Sequence, residues 1–418
     1  MENTMTNLPQ GWEVKKLEEI ANIKGGKRLP KGENLLDNNT KFAYIRVVDF
    51  QDNGTINLQN IKFINENTYN VLKNYKIYDD NLYISIAGTI GKSGIIPKEL
   101  NGAILTENAV KLEYIQNNIS NKFMYFFTLS NIFKTQIQTS TKIVAQPKLA
   151  ITRLKQIQIP LPPLKEQERI VGILDESFAK IDESIKILEQ NLLNLDELMQ
   201  SALQKAFNPL NDNTKENYQL PQGWEWKSLN EICEINPRNK VDDEINISFV
   251  SMDKILDGYN NGFSYVIKKW KDVKKGFTHF KQGDIGLAKI TPCFENKKSV
   301  IFNNLENGVG AGTTELHIIR VGNHIISKFL LWFFKTEKFT KNGILNMTGA
   351  TGHKRVPKDF IKNLQIPLPP LQEQEQITSY LDELSLNIKN LKQNYQTQIK
   401  NLQELKKSLL DKAFKGRL

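Results

Sequence analysis

The chain has 418 residues, of which 24% are charged and 39% hydrophobic, and it carries a net charge of +10. That length exceeds one ordinary core, and the apolar share excludes wholesale disorder. Two cysteines, Cys233 and Cys293, exclude a disulfide framework and a thiolate zinc site, and the densest apolar run, at 329–334, is far too short to span a bilayer. The opening MENTMTNLPQGW has no basic stretch before an apolar one, so no secretory signal is expected and the expected compartment is the cytoplasm.

In chain order, LPQGWEVKKLEEIANI at 8–23 opens a pattern that returns as LPQGWEWKSLNEICEI at 220–235, with 11 of 16 positions identical. Runs rich in β-branched and aromatic residues follow at 41–50 and 81–91, and again at 247–253 and 283–290; their Gly and Asn breaks predict mixed sheets. ISNKFMYFF at 119–127 and ISKFLLWFF at 326–334 predict matching apolar helices at an offset of 207, with Ser120 and Ser327 as N-caps. IQIPLPPLKEQERIVGILDE at 157–176 returns as LQIPLPPLQEQEQITSYLDE at 364–383, with 14 of 20 positions identical. The paired prolines forbid helix before them, and good helix formers follow.

A heptad seam then runs through Leu174, Phe178, Ile181, Ile185, Leu188, Leu192 and Leu195. In the second copy it runs through Leu381, Ile388, Leu391, Tyr395, Leu402, Leu405 and Leu409, with Gln398 as its weak point. Seams of this length need a partner helix. The helix of the other half is the economical choice, antiparallel across a pseudo-twofold; an intermolecular coiled coil has the same spacing. QKAF at 204–207 and DKAF at 411–414 close the two copies. The division is a globular domain at 1–164, a long spacer helix at 165–207, a linker at 208–219, a second globular domain at 220–371 and a second long spacer helix at 372–418. The fold class is α+β, two mixed α/β domains separated by two long antiparallel coiled-coil helices.

Residues 165–207 carry 9 acids and 5 bases, and residues 372–418 carry 6 acids and 8 bases. The excess positive charge therefore lies in the globular parts, where a polyanion docks. No catalytic motif is legible. IAGTIGKSG at 86–94 ends in GKS, but Ile86 stands where a phosphate loop needs glycine, so a turn between strands is the reading. His279, His317, His324 and His353 lack metal-ligand spacing and read as surface residues. Candidate DNA contacts in the first half are Lys24, Lys27, Arg28, Arg46, Lys92, Lys142, Gln146 and Lys148. In the second half they are Arg238, Asn239, Lys240, Lys289, Lys297, Lys298, Thr313, Thr314, His353, Lys354 and Arg355. Lys and Arg attract phosphate, and Arg, Asn, Gln and Thr also meet base edges. The loops at 142–148 and 352–355 hold matching places before each LPPL motif.

LPxGW at 8–12 and 220–224, IPLPPLxEQxxI at 159–170 and 366–377, and LDE at 174–176 and 381–383 together resemble the specificity subunit of type I restriction–modification enzymes. YISIAGTIGK at 83–92 and GAGTTELHIIR at 310–320 are similar to segments of its target-recognition domains. The resemblance spans essentially the whole chain. It implies a non-catalytic subunit in which each globular domain reads one half of a bipartite, asymmetric double-stranded DNA site. It also implies that the helices set the spacer and dock two adenine-N6 methyltransferase subunits, with restriction/translocase subunits joining them. S-adenosylmethionine, ATP and Mg would belong to those partners, with no cofactor in this chain and no membrane. A coiled-coil assembly scaffold and a stand-alone bipartite DNA-binding regulator are the alternative readings of the residues.

Overall fold

The structure, a computed structural model, describes residues 8–140, 148–210, 219–350 and 352–418. The chain folds as two units, Met1–Ile187 with Thr397–Leu418, and Leu188–Gln396. This division falls midway along both long helices, not at their starts, because the two ends of each helix are buried in different cores.

In the first unit the strands are β1 (Glu13–Lys16), β2 (Ala21–Gly25), β3 (Ala43–Ile45), β4 (Lys62–Phe63), β5 (Lys76–Ile77), β6 (Leu82–Ser85), β7 (Ser93–Ile95), β8 (Ala103–Leu105), β9 (Ala109–Tyr114) and β10 (Gln158–Leu161). They form an antiparallel sheet β2-β9-β6-β7, a mixed sheet β4-β3-β8-β5 and a ribbon β1-β10. The second unit holds β11 (Glu225–Ser228), β12 (Cys233–Ile235), β13 (Asn246–Val250), β14 (Val266–Lys269), β15 (Thr278–Lys281), β16 (Ile285–Ala288), β17 (Ser299–Ile301), β18 (Val309–Gly312), β19 (Leu316–Val321) and β20 (Gln365–Leu368). Their orders are β12-β19-β16-β17, β14-β13-β18-β15 and β11-β20, the same topology strand for strand. Among the described residues only β3-β8 and β13-β18 pair in parallel. The divergent middles therefore keep one backbone plan while changing nearly every side chain.

The repeated motifs meet in space. The strand that follows LPQGW pairs with the strand of QIPL, Glu13 opposite Leu161 and Glu225 opposite Leu368. Gly11 and Gly223 stand at φ +85° and +88° against Pro163 and Pro370, where a side chain would be strained. The glutamine of LPPLxEQ is the fastener. Gln167 is buried, accepts from the Ser120 N–H at 2.9 Å and donates to the Asn118 and Pro162 carbonyls. Gln374 does the same with the Ile326 N–H, His324 and Pro369.

That pairing corrects one expected alignment. Ser120 caps its helix by accepting from Phe123, but its counterpart is Ile326, so the apolar helices align at an offset of 206. Ser327 is no cap; its hydroxyl donates to the Gly283 carbonyl. The LDE aspartates agree with this register, since Asp175 pairs with Lys122 and Asp382 with Lys328.

The long helices run Leu164–Phe207 and Leu371–Ala413, about 65 Å each at 1.5 Å per residue. Leu174, Ile181, Leu195, Leu381 and Ile388 are buried on the seam. Phe178, Ile185, Leu188, Leu192, Tyr395, Leu402 and Leu409 are half-buried. In the first unit Arg169 donates to the Leu418 carbonyl and Lys406 pairs with Asp182, so the helix segments are antiparallel and intramolecular. In the second unit Lys392 pairs with Asp196 at 2.5 Å. The second seam departs from expectation: Leu391 and Leu405 face outward, 41% and 46% exposed. Lys392, Ile399 and Lys406 take the inner positions with their stems half-buried, so the apparent break at Gln398 is filled by Ile399. The closing phenylalanines finish the cores. Phe414 packs on Phe123 and Phe127 in the first unit, and Phe207 on Phe329 and Phe333 in the second.

Candidate nucleic-acid interface

In each unit the loop before the final ribbon strand lies along the end of a central strand. Lys148 bridges Ala87, and the Leu149 N–H reaches the Ile86 carbonyl. Arg355 bridges Ile290, and the Val356 N–H reaches the Lys289 carbonyl. Lys148 and Arg355 therefore hold equivalent places. Lys142 and Gln146 lie outside the described residues.

In the second unit this loop meets the β18–β19 turn. Arg355 grips Glu315 with two parallel bonds, Nε to Oε2 at 2.9 Å and Nη2 to Oε1 at 2.8 Å, and its Nη1 donates to the His353 carbonyl. The Thr313 hydroxyl accepts from the Glu315 N–H, and Thr314 is exposed. The guanidinium holds the Glu315 carboxyl below its usual range, against the opposing effect of burial. Lys289 lies in the same cluster, its pKa pulled down by burial. His353 and Lys354 are exposed. Lys289, Thr313, Thr314, His353, Lys354 and Arg355 thus come together. Glu315 was not among the residues expected there, because a search for positive charge passes over the acid that orients it.

The matching turn of the first unit carries Glu107, which Arg28 meets at 2.7 Å from the loop after β2. Lys27 is exposed beside it, its ammonium 5.8 Å from the Tyr75 ring. One turn, two suppliers of positive charge: β2's loop in the first unit, the pre-ribbon loop in the second.

Other candidates are held in the framework. Arg46 forks onto Asp49 and donates to the Asn60 carbonyl. Lys24 pairs with Glu113 and Lys92 with Asp52. Arg238 donates to the Phe277 carbonyl, Lys240 is exposed, and Asn239 is buried between the Phe280 carbonyl and Arg320. Lys297 pairs with Glu337, and Lys298 donates to the Met252 carbonyl. Beneath them the Lys335 ammonium is buried among the carbonyls of Gly258, Asn260, Lys297 and Ser299, at 2.7–3.1 Å, and burial pulls its pKa down to about 7.

Two of the expected surface histidines are buried. His279 packs on Trp270 and accepts from the Asn239 N–H; His317 donates to the Val356 carbonyl at 2.8 Å. The GKS segment is a hairpin turn, with the Ser85 hydroxyl accepting from the Lys92 N–H and β7 following. Among the described residues no group of His, Cys, Asp and Glu could hold a metal ion, and no helix is long and apolar enough to cross a membrane.

Residues 9–193 and 221–401 both match the family described as type I restriction modification DNA specificity domain. The chain belongs to the type I restriction–modification DNA specificity family. Within it, the chain is 48% identical over 218 residues to the type I restriction enzyme EcoAI specificity subunit of Escherichia coli, covering 51% of this chain and 37% of that one. It is 46% identical over 195 residues to the EcoEI specificity subunit of the same species, covering 46% and 33%. The chain thus spans about a third of the length of these two relatives. The HsdS subunit from Thermoanaerobacter tengcongensis has the same fold over 100% of both chains, at a TM-score of 0.61 and 20% identity. A chain described with complex assembly and conformational transition of the type I R-M system matches at 0.76 and 20% identity, over 99% of this chain and 100% of that one. The two segments matched by the specificity family coincide with the two sequence repeats.

Proposed function

We propose that this chain is the DNA-sequence specificity subunit of a type I restriction–modification complex. Each unit reads one half of a bipartite, asymmetric site in double-stranded DNA. The long helices set the unread spacer and dock two adenine-N6 methyltransferase subunits, which supply S-adenosylmethionine; translocase and nuclease subunits bring ATP and Mg. The chain itself catalyses nothing and works in the cytoplasm.

One observation carries this reading. Two units of identical topology present different charged pairs on the same turn, Arg28–Glu107 and Arg355–Glu315. A scaffold that varies its side chains while holding its backbone suits the recognition of two different short sequences. The test is a long-read methylation map of cells expressing this chain with a neighbouring adenine methyltransferase, against cells lacking the chain. The expected result is a new split motif with methylated adenine in both halves. Absence of new methylation, with the methyltransferase co-purifying, sinks the proposal in favour of an assembly scaffold.

A further inference from the structure

Arg355 is only 42% exposed, and its hydrogen bonds leave a definite remainder. A guanidinium has five N–H groups in a rigid plane. Three are spent: Nε and Nη2 on the two Glu315 oxygens, and Nη1 on the His353 carbonyl. Two N–H groups remain, one on each terminal nitrogen. Such a pair matches the O6 and N7 acceptors that guanine presents in the major groove.

The backbone under this side chain is fixed from both sides. The Val356 N–H is bound to the Lys289 carbonyl, and the Val356 carbonyl accepts from Nε2 of His317 at 2.8 Å. His317 is 3% exposed, and its Nδ1 has no partner among the described residues, so its role is spent on that single contact. The Thr348 and Arg355 backbones also exchange two hydrogen bonds. In the first unit the position opposite the equivalent central strand is Val110, which has no such donor, and Lys148 replaces the arginine. A lysine is a point charge without a fork.

We propose that Arg355 is a guanine-reading residue of the second unit, with Glu315 fixing the plane of its guanidinium and His317 fixing its backbone as positioning residues. This rests on the specificity-subunit reading above and names the base that one residue selects.

The experiment selects the full-length chain against randomised duplex DNA and compares wild type with R355K, H317V and H317Q. Wild type is expected to enrich a split motif. R355K is expected to lose preference for one guanine in one half-site, about tenfold or more, while the other half-site stays unchanged and reports an intact fold. Replacing that guanine by 7-deazaguanine, which lacks the N7 acceptor, should weaken wild type and leave R355K unaffected. H317V should blur the same base, and H317Q, which keeps a donor for Val356, should restore it. If R355K enriches the same bases as wild type, or 7-deazaguanine weakens both proteins equally, Arg355 does not read guanine. If H317V keeps the wild-type preference, His317 does not position it. If wild type enriches no split motif, the specificity-subunit reading itself fails.

Discussion

Replacing Gln374 by alanine tests what joins the repeated motifs. The side chain is fully buried and makes three hydrogen bonds, at 2.9 Å from the Ile326 N–H and at 3.0 and 2.9 Å to the His324 and Pro369 carbonyls. Truncation leaves one buried donor and two buried acceptors unpaired, at about 1–3 kcal/mol each where no water enters. A loss of roughly 3–9 kcal/mol follows, a large part of the 5–15 kcal/mol typical of a domain. Glutamate is expected to be no better, because it keeps the acceptor but sets a carboxylate against two carbonyl oxygens. Urea unfolding followed by tryptophan fluorescence isolates the effect, since Trp224, Trp226, Trp270 and Trp332 are in the second unit and Trp12 alone in the first. Gln167→Ala serves as the control, because its damage belongs to the first unit and should leave most of the tryptophan signal unmoved. A loss below about 1 kcal/mol for Gln374→Ala would refute the reasoning, since it would mean the freed groups are readily satisfied elsewhere.

Phe414→Ala should destabilise the first unit and Phe207→Ala the second, by about 3–5 kcal/mol each, read as separate shifts in protease protection of the two units. Burial lowers the His317 pKa from 6.5 to about 4. The unfolded chain therefore takes up its proton first, and the His317 contribution, full above pH 6.5, is lost as pH falls toward 4. It amounts to at most about 3 kcal/mol, and urea midpoints of wild type and His317→Val across that range should converge on acidification. Affinity for the cognate duplex should fall steeply with added salt, as counterion release requires; a flat dependence would remove phosphate contact as the main attraction. Exchanging residues 1–157 for those of another reader should alter one half of the methylated motif, and alteration of both halves would refute the modular reading.

The frame was legible because hydrophobic period and proline placement are written in few residues: LPQGW, LPPLxEQ and the heptads each mark a backbone event. The identical topology of the middles was not legible. Most of their strands are two to five residues long and paired through backbone groups, so unrelated side chains can occupy one sheet order. The seam slipped by one residue at Leu391 because Lys392 can bury its stem and still reach Asp196, which a purely apolar count misses. Likewise the basic loops could be located from sequence, but Glu315 could not. Its partnership with Arg355 spans 40 residues and depends on the β18–β19 turn meeting a loop drawn in from the far end of the domain.

The order of synthesis gives the exchanged helix ends a further meaning. The second unit is one unbroken stretch, Leu188–Gln396, and every part of its core has been made once residue 396 leaves the ribosome. The first unit cannot close then. Its core needs Leu410, Ala413 and Phe414, made more than 200 residues after the apolar helix on which Phe414 packs. Until they arrive, Phe123 and Phe127 lack the ring that packs on them, and the nascent first unit exposes apolar surface through the whole synthesis of the second. A chain interrupted just before residue 397 would thus be damaged in the unit built first, leaving the one built last with its full set of residues.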